Sequence, residues 1–193
     1  MEFPKRKKNR LNGYDYANCG AYFVTVCTSP RRNLFWETEA LEKFLQAVPD
    51  ENVGADIIRP NPMGDVFLPG VEIIRPYGEP LSPTGKIVRE GIAAIPQHYA
   101  SVEVEHYCIM PDHLHMLLMF LPDENGRMIS APTLSTVVGS MKRWISRRLG
   151  RSIWQKSFYD RVIRSEKGYQ AAWSYIEENP MKWWEDHGDG PFP

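Results

Sequence analysis

Runs of apolar and β-branched residues, separated by turn residues, predict four strands. The run AYFVTVCT at 21–28 is bounded by turn residues on both sides, which is typical of a buried strand. Two further runs, at 102–110 and 113–120, are separated only by Pro111-Asp112 and predict a hairpin with a tight turn. A shorter alternation at 158–164 predicts the last strand.

Apolar residues at helical spacing predict four helices. They lie between 36 and 49, from Ser82 to about 96, over 134–149, and from 168 to about 186 despite Pro180. The third helix has an apolar stripe with basic residues beside it. The order of strands and helices suits an antiparallel sheet with helices packed on one face, so the predicted fold class is α+β.

Length and composition predict one globular domain spanning 1–193. Of the 193 residues, 42% are hydrophobic and 12% aromatic, enough for a sizeable core. The segment 50–83 is rich in proline and glycine and predicts an insertion. No apolar segment has the length that a bilayer requires, so we expect a soluble, cytoplasmic protein. The three cysteines lack CxxC spacing, and we expect them to be reduced.

Charge is distributed unevenly along the chain. The formal net charge of −1 gives no overall attraction to a polyanion, so any binding of nucleic acid must depend on local clusters. Basic residues concentrate at 5–10, at Arg31 and Arg32, and at 141–151. A solvated helix face explains the last cluster equally well.

Two histidines stand out in the second strand of the hairpin. His113 and His115 are two residues apart, and because strand side chains alternate between faces, both imidazoles point to the same side, within reach of one metal ion. Apolar neighbours predict that this strand is central, with both faces covered. Hydrogen-bonded core histidines are the alternative interpretation. Imidazole pairs suit zinc, copper, iron, nickel or manganese, so the pair alone identifies neither metal nor reaction.

A cysteine on the neighbouring strand leaves a second interpretation open. A two-residue turn would place Cys108 opposite His115, and His106 opposite Leu117, on the same face. A thiolate beside two imidazoles would indicate zinc, so a zinc-dependent hydrolase is one alternative function. A small buried core cysteine is the commoner outcome for such a residue.

The last predicted helix contains a possible nucleophile in WSYIEENP. Tyr175 and Asn179 are four residues apart and are therefore neighbours on one helix face. A tyrosine nucleophile and an amide ligand could both face a metal there. Taken alone, these residues are more typical of structural roles, Tyr175 as a packed aromatic ring and Asn179 as a helix end before Pro180.

Four segments together resemble the REP-associated tyrosine transposases, a group within the single-tyrosine HUH transposases, where HUH denotes His, a bulky hydrophobic residue and His. The segments are RLNGYDYANCGAYFVTVCT, MPDHLHMLLMF, IWQKSFYDRVIR and YIEENP. They occur in the order typical of the family and cover nearly the whole chain apart from 50–83.

This resemblance implies a site and a reaction. His113 and His115 would be metal ligands, Asn179 a third ligand and Tyr175 the nucleophile. The implied fold is a ferredoxin-like (RRM-like) sheet with helices on one face and a catalytic C-terminal helix. The implied activity is cleavage and rejoining of single-stranded DNA with hairpin or repeat structure through a 5′-phosphotyrosine, with Mg²⁺ or Mn²⁺, in a homodimer.

Basic and aromatic side chains of the third helix and the segment after it are candidate DNA contacts, because single strands are bound by cations and by stacking rings. These candidates are Lys142, Arg143, Arg147, Arg148 and Trp154.

Two other positions bear on the comparison with the family. Tyr159 is the competing tyrosine, and we interpret it as structural because that strand position is commonly aromatic in relatives. Asp112 stands where many relatives have Asn, and both residues suit a turn. A DNA-binding protein without transposition activity is the remaining alternative function.

Overall fold

The computed structural model describes residue 15 and residues 18–37, 81–122 and 132–187. The strands are β1 (Gly20–Cys27), β2 (Val102–Ile109), β3 (His113–Phe120) and β4 (Tyr159–Ile163). The helices are α1 (Pro83–Ala93), α2 (Ile95–His98), α3 (Leu134–Leu149) and α4 (Glu166–His187). The helix predicted between 36 and 49 lies outside the described residues from position 38 onward, and so does the predicted insertion up to position 80.

The four strands form one antiparallel sheet in the order β2-β3-β1-β4. With helices following β1 and β3, this is the ferredoxin-like arrangement, and the α+β prediction is confirmed. The hairpin register is also confirmed, since Cys108 pairs with His115 and His106 pairs with Leu117. The Met110 amide donates to the carbonyl of His113 at 2.8 Å, which closes the two-residue turn. β3 is therefore central and flanked on both sides.

Local sequence signals account for the ends of the first and third helices. The Ser82 hydroxyl accepts from the Gly85 amide at 3.1 Å, so α1 begins with an N-cap followed by proline, as predicted. Thr133 caps α3 in the same way. α3 ends at Gly150, which has φ 67°, a left-handed conformation that glycine adopts without steric cost.

One face of the sheet is fully buried. By strand alternation, the side chains on this face come from alternate positions of β1 and β3, and they are 0% exposed: Tyr22, Val24, Val26, Leu114, Met116 and Leu118. They share one hydrophobic core with the buried residues of α1 and α3. These two helices pack closely at Gly91, where an added Cβ would lie only 2.6 Å from Cγ1 of Ile145.

The opposite face of the sheet holds the two histidines and is covered by α4. Phe23 and His115 lie on this face, and both contact the ring of Tyr175. The C-terminal helix thus lies across the sheet from α1 and α3. None of the helices within the described ranges combines the length and the apolar character needed to cross a membrane.

The chain segments on either side of residues 38–80 meet next to each other. Trp36 and Leu81 form a β-bridge, and the Ser82 amide donates to the Phe35 carbonyl at 2.8 Å. The chain is already back in the core at Leu81, two residues before the end predicted for the insertion.

Candidate metal and nucleophile site

The two histidines of β3 direct their side chains to a common point. Nε2 of His113 and Nε2 of His115 are 3.2 Å apart, and the rings are nearly perpendicular, with centroids 4.8 Å apart. Two nitrogens that lie about 2.1 Å from one ion are separated by roughly 3.0–3.4 Å for ligand angles of about 90–109°. The observed separation fits a shared divalent ion.

The Nδ1 atom of each imidazole contacts a polar side chain. The hydroxyl of Thr25, on β1, is 2.8 Å from Nδ1 of His115, and Oδ1 of Asp112 is 2.5 Å from Nδ1 of His113. A partner that accepts the Nδ1 proton leaves Nε2 with a free lone pair and fixes the plane of the ring, which is how histidine ligands are commonly oriented. Asp112 therefore orients His113, in addition to the turn role expected from the sequence.

The electrostatics of the site keep one imidazole neutral. Burial lowers the pKa of His115 to about 3, and the nearby His113 and Arg31 add to the effect. Burial opposes ionisation of Asp112. The hydrogen bond and charge interaction with His113, together with the charge of Arg31, outweigh burial and lower the pKa of Asp112 below its ordinary value. A neutral His115 beside an ionised Asp112 provides a lone pair and a local negative charge, both of which favour a cation.

Arg31 places a positive charge next to the histidines. Its Nε is 3.5 Å from Oδ2 of Asp112, and its Nη2 donates to Sγ of Cys27 at 3.1 Å. The Cys27 hydrogen bond, with the charges of Asp112 and Cys27, raises the pKa of Arg31. The side chain is 57% exposed, so the guanidinium can still meet a ligand.

α4 is fastened to the edge strand β2 by two contacts. The Tyr169 hydroxyl donates to Oε2 of Glu105 at 2.9 Å. One turn later, Trp173 stacks on His106, with ring centroids 4.3 Å apart and planes 15° apart. Ile176 is fully buried on the same side of the helix. These contacts fix the helix and with it the position of Tyr175, which adjoins Ile176 and is more exposed.

Tyr175 lies beside His115. Its ring stands edge-on to His115, with centroids 5.2 Å apart, and to Phe23, with centroids 5.7 Å apart. The side chain is nevertheless 46% exposed, so an incoming molecule can reach it. Asn179 follows one turn later on the same side of α4 and is half-buried. The structure thus brings together His113, His115 and Tyr175, with Asn179 next along the helix.

Two of the predicted DNA contacts are engaged within the protein. The Lys142 ammonium donates to the carbonyl of Gln155 at 2.6 Å and of Ser157 at 3.3 Å, and burial lowers its pKa. Lys142 therefore fastens the segment after α3 to the helix. Arg148 pairs with Glu90 of α1 at 3.2 Å.

The other predicted DNA contacts differ in exposure. Arg143 and Arg147 are exposed on α3, as the amphipathic pattern indicates. Trp154 is only 7% exposed and packs on Phe35, so its ring offers no free face to a base. The prediction of Trp154 as a stacking residue does not fit this position in the core. The β-bridge between Trp154 and Thr28, the residue after β1, holds the Trp154 side chain in the core.

Tyr159 is more exposed than a packing residue would be. It is 54% exposed and pairs with Thr25 across β1 and β4, which puts its side chain on the same sheet face as His115 and Tyr175. Thr25 and Tyr159 thus belong to the site, yet only the pairing of distant strands reveals them. A threonine within an otherwise apolar run is the one sequence signal for Thr25.

Cys108 lies in the hydrophobic core. It is 0% exposed and belongs to the main cluster. Within the described ranges, no group of three or more His, Cys, Asp or Glu side chains is arranged to hold a metal. A third ligand supplied by these residues would be of another type, and Asn179 remains the prediction for it.

No protein-family model matches the chain. A Haemophilus influenzae protein of unassigned function is 22% identical over 200 residues, covering 94% of this chain and 91% of that protein. A second Haemophilus influenzae protein, whose name places it provisionally among the REP-associated tyrosine transposases, is 28% identical over 94 residues. That match covers 45% of this chain and 53% of that protein, about half its length.

Similarity also extends to a solved structure. A REP-associated tyrosine transposase bound to a REP hairpin superimposes with a TM-score of 0.52 at 18% identity, covering 90% of this chain and 73% of that one. The chain is therefore similar to REP-associated tyrosine transposases in fold and, over almost half of its length, in sequence.

Proposed function

We propose that this protein is a single-stranded DNA transposase that cleaves and rejoins strands through a 5′-phosphotyrosine at Tyr175. The observation that carries the proposal is the convergence of the Nε2 atoms of His113 and His115, 3.2 Å apart, under an exposed tyrosine whose ring centroid is 5.2 Å from that of His115. Two convergent imidazoles beside a reachable nucleophile are a combination that core packing alone does not require.

The donor atoms suit a divalent cation. His113 and His115 would supply two imidazole nitrogens, and Asn179 would supply a carbonyl oxygen. Manganese accepts imidazole more readily than magnesium does, so Mn²⁺ is our first choice and Mg²⁺ the second. When bound, the ion polarises a non-bridging oxygen of the phosphate and offsets the charge that develops in the transition state.

Tyr175 carries the covalent step. Its Oη forms a bond to phosphorus while the bond from phosphorus to the 3′-oxygen of the upstream DNA breaks. The phenol proton is lost to solvent, and the departing oxygen takes up a proton to become a 3′-hydroxyl. The phosphodiester is exchanged rather than hydrolysed, so a DNA 3′-hydroxyl can reverse the step at a new junction without ATP.

The substrate and assembly follow from the same proposal. The similar solved structure carries a REP hairpin, and we propose hairpin DNA with single-stranded flanks as the substrate here. Exposed cations near the site, Arg31 above all, would meet its phosphates. We also propose a homodimer, which sedimentation analysis of the purified protein would test.

The direct test is formation of a covalent adduct. Labelled hairpin DNAs, taken from repeats flanking the gene, are incubated with protein and Mn²⁺ and then denatured. We expect a denaturant-resistant protein–DNA adduct with the wild type and with Tyr159→Phe, and none with Tyr175→Phe. Adduct loss only in Tyr159→Phe would move the nucleophile to Tyr159. DNA binding without any adduct would indicate a non-catalytic DNA-binding protein.

Metal analysis separates the remaining alternative. A zinc hydrolase that used Cys108 would purify with one tightly bound zinc and would be indifferent to Tyr175→Phe. We expect weak, exchangeable Mn²⁺ that depends on His113 and His115, and activity that EDTA abolishes and Mn²⁺ restores.

A further inference from the structure

An open groove runs beside Tyr175, between the sheet and α4. It has a volume of about 390 Å³, within the range of small-ligand sites. β1 and β4 contribute its sheet side, and α4 contributes the other. The helix side includes Ala171 and Ala172, whose small side chains leave the space open.

The groove carries aromatic rings that nothing in the described structure covers fully. Phe23, Tyr159 and Tyr175 all line it, and Tyr159 and Tyr175 are 54% and 46% exposed. Several exposed rings in one groove form an apolar patch, and such patches commonly mark binding sites. The Tyr159 ring offers a flat apolar surface for another ring to stack on.

The exposed charge along the groove is positive. Arg161 lines it, is exposed, and forms no ion pair with any residue in the described ranges. The acidic residue of the lining, Asp160, pairs with Val24, so its side chain lies on the opposite face of the sheet from the groove. A cationic, aromatic groove is complementary to an anionic ligand that carries flat rings.

A second hollow lies next to the groove along β4. It has a volume of about 370 Å³, shares Asp160, Arg161 and Ile163 with the groove, and is lined further by Ser165 and Gly168 at the start of α4. Neighbouring hollows along one strand suit a chain molecule better than a compact one.

We propose that the groove binds an unpaired nucleobase of the DNA strand next to the phosphate that Tyr175 attacks, stacked on Tyr159, with Arg161 meeting a neighbouring backbone phosphate. This assignment rests on the proposed function and adds to it the site that positions the single strand. Base stacking on aromatic rings tolerates any sequence, so the groove holds the strand in place rather than specifying a base.

The test combines base removal with side-chain removal. Hairpin oligonucleotides with single-stranded flanks are made with one abasic position at a time, and their affinities are measured for the wild type, Tyr159→Ala and Tyr159→Phe. At one or two flanking positions, loss of the base should weaken wild-type binding roughly 5- to 100-fold, the range that base–aromatic stacking spans. At the same positions, removal of the base should not weaken the binding of Tyr159→Ala any further, whereas Tyr159→Phe should lose affinity to the same extent as the wild type.

Arg161→Gln provides a matched control for the charge. It should weaken binding equally for every oligonucleotide and lower the slope of log affinity against log salt by about 1. Thermal unfolding of each variant verifies folding. If Tyr159→Ala is unstable, a 5-iodouracil placed at the sensitive position should crosslink to Tyr159 of the wild type, and crosslinking elsewhere would overturn the assignment.

The outcomes separate this site from the proposed reaction. Abasic losses that are equal in the wild type and in Tyr159→Ala would overturn the base site, whether or not Tyr175 forms an adduct. Coupling between the abasic position and Tyr159, in the absence of any adduct, would support the base site and contradict the covalent reaction.

Discussion

Replacing Thr25 with valine tests how the histidines are held. Valine has nearly the same shape and is also β-branched, so β1 should form unchanged. It lacks the hydroxyl that lies 2.8 Å from Nδ1 of His115. Because His115 is only 5% exposed, water cannot easily replace the lost partner.

The expected magnitude can be worked out in two ways. A buried polar atom left without its partner costs about 1–3 kcal/mol. Loss of a polar group that orients a histidine ligand typically weakens metal binding about 10- to 100-fold, which corresponds to about 1.4–2.7 kcal/mol. The two ranges overlap, so we expect Thr25→Val to bind Mn²⁺ roughly 10- to 100-fold more weakly.

Calorimetric titration with Mn²⁺ measures this change directly, and urea unfolding without metal measures the separate loss of stability. Ligand binding stabilises the folded state according to its affinity, so Mn²⁺ should also raise the unfolding temperature of Thr25→Val less than that of the wild type. Thr25→Ser keeps the hydroxyl and should retain most of the affinity. Equal Mn²⁺ affinity in Thr25→Val and the wild type would refute the role given to this hydrogen bond.

Three further predictions follow from packing and burial. Gly91→Ala should destabilise the protein by about 1–3 kcal/mol, because the added Cβ would collide with Ile145. Gly139→Ala should stabilise it by about 0.5–1 kcal/mol, because the added Cβ meets only the flexible end of Arg143 and alanine favours the helix. Urea unfolding measures both changes. Trp173→Leu should slow adduct formation by up to about 100-fold and weaken Mn²⁺ binding much less, because it loosens the helix that carries Tyr175 and Asn179 but leaves both histidines in place; a larger effect on Mn²⁺ binding would contradict this. Burial raises the pKa of Glu105 in the folded protein. The stability linked to this carboxyl group is therefore fully present below its unfolded pKa and is lost as pH rises through its folded pKa. The free energy of unfolding of Glu105→Gln relative to the wild type should therefore increase from about pH 4 to about pH 7, and a constant difference would contradict this.

Local signals were sufficient for much of the fold. The two-residue turn and the two-residue side-chain period determine the hairpin register, so the pairing of Cys108 with His115 could be predicted before any coordinates. The start of α1 was equally predictable, because Ser82 and Pro83 act within one turn of the helix. The same alternation places His113 and His115 on one face.

Long-range pairing accounts for what the sequence did not predict. Thr25 reaches His115 only because β1 lies beside β3, a contact across 90 residues of chain. The sequence pattern around Tyr159 is typical of a packing residue, and only its pairing with Thr25 shows that its side chain lies on the sheet face of the histidines. An amphipathic pattern shows which side of a helix is polar but not what lies next to it, so the engagement of Lys142 with two backbone carbonyls could not be foreseen.

The two halves of the candidate site have independent supports. The histidines lie on the central strand β3 and are held by Thr25 and Asp112. Tyr175 lies on α4, which is held to the edge strand β2 through Tyr169 and Trp173. The described supports of the two halves differ, so a change that loosens α4 should slow adduct formation more than it weakens metal binding. A change at the histidines should weaken metal binding and, because the proposed reaction needs the metal, slow adduct formation as well. The ratio of the two effects therefore shows which half of the site a variant has altered.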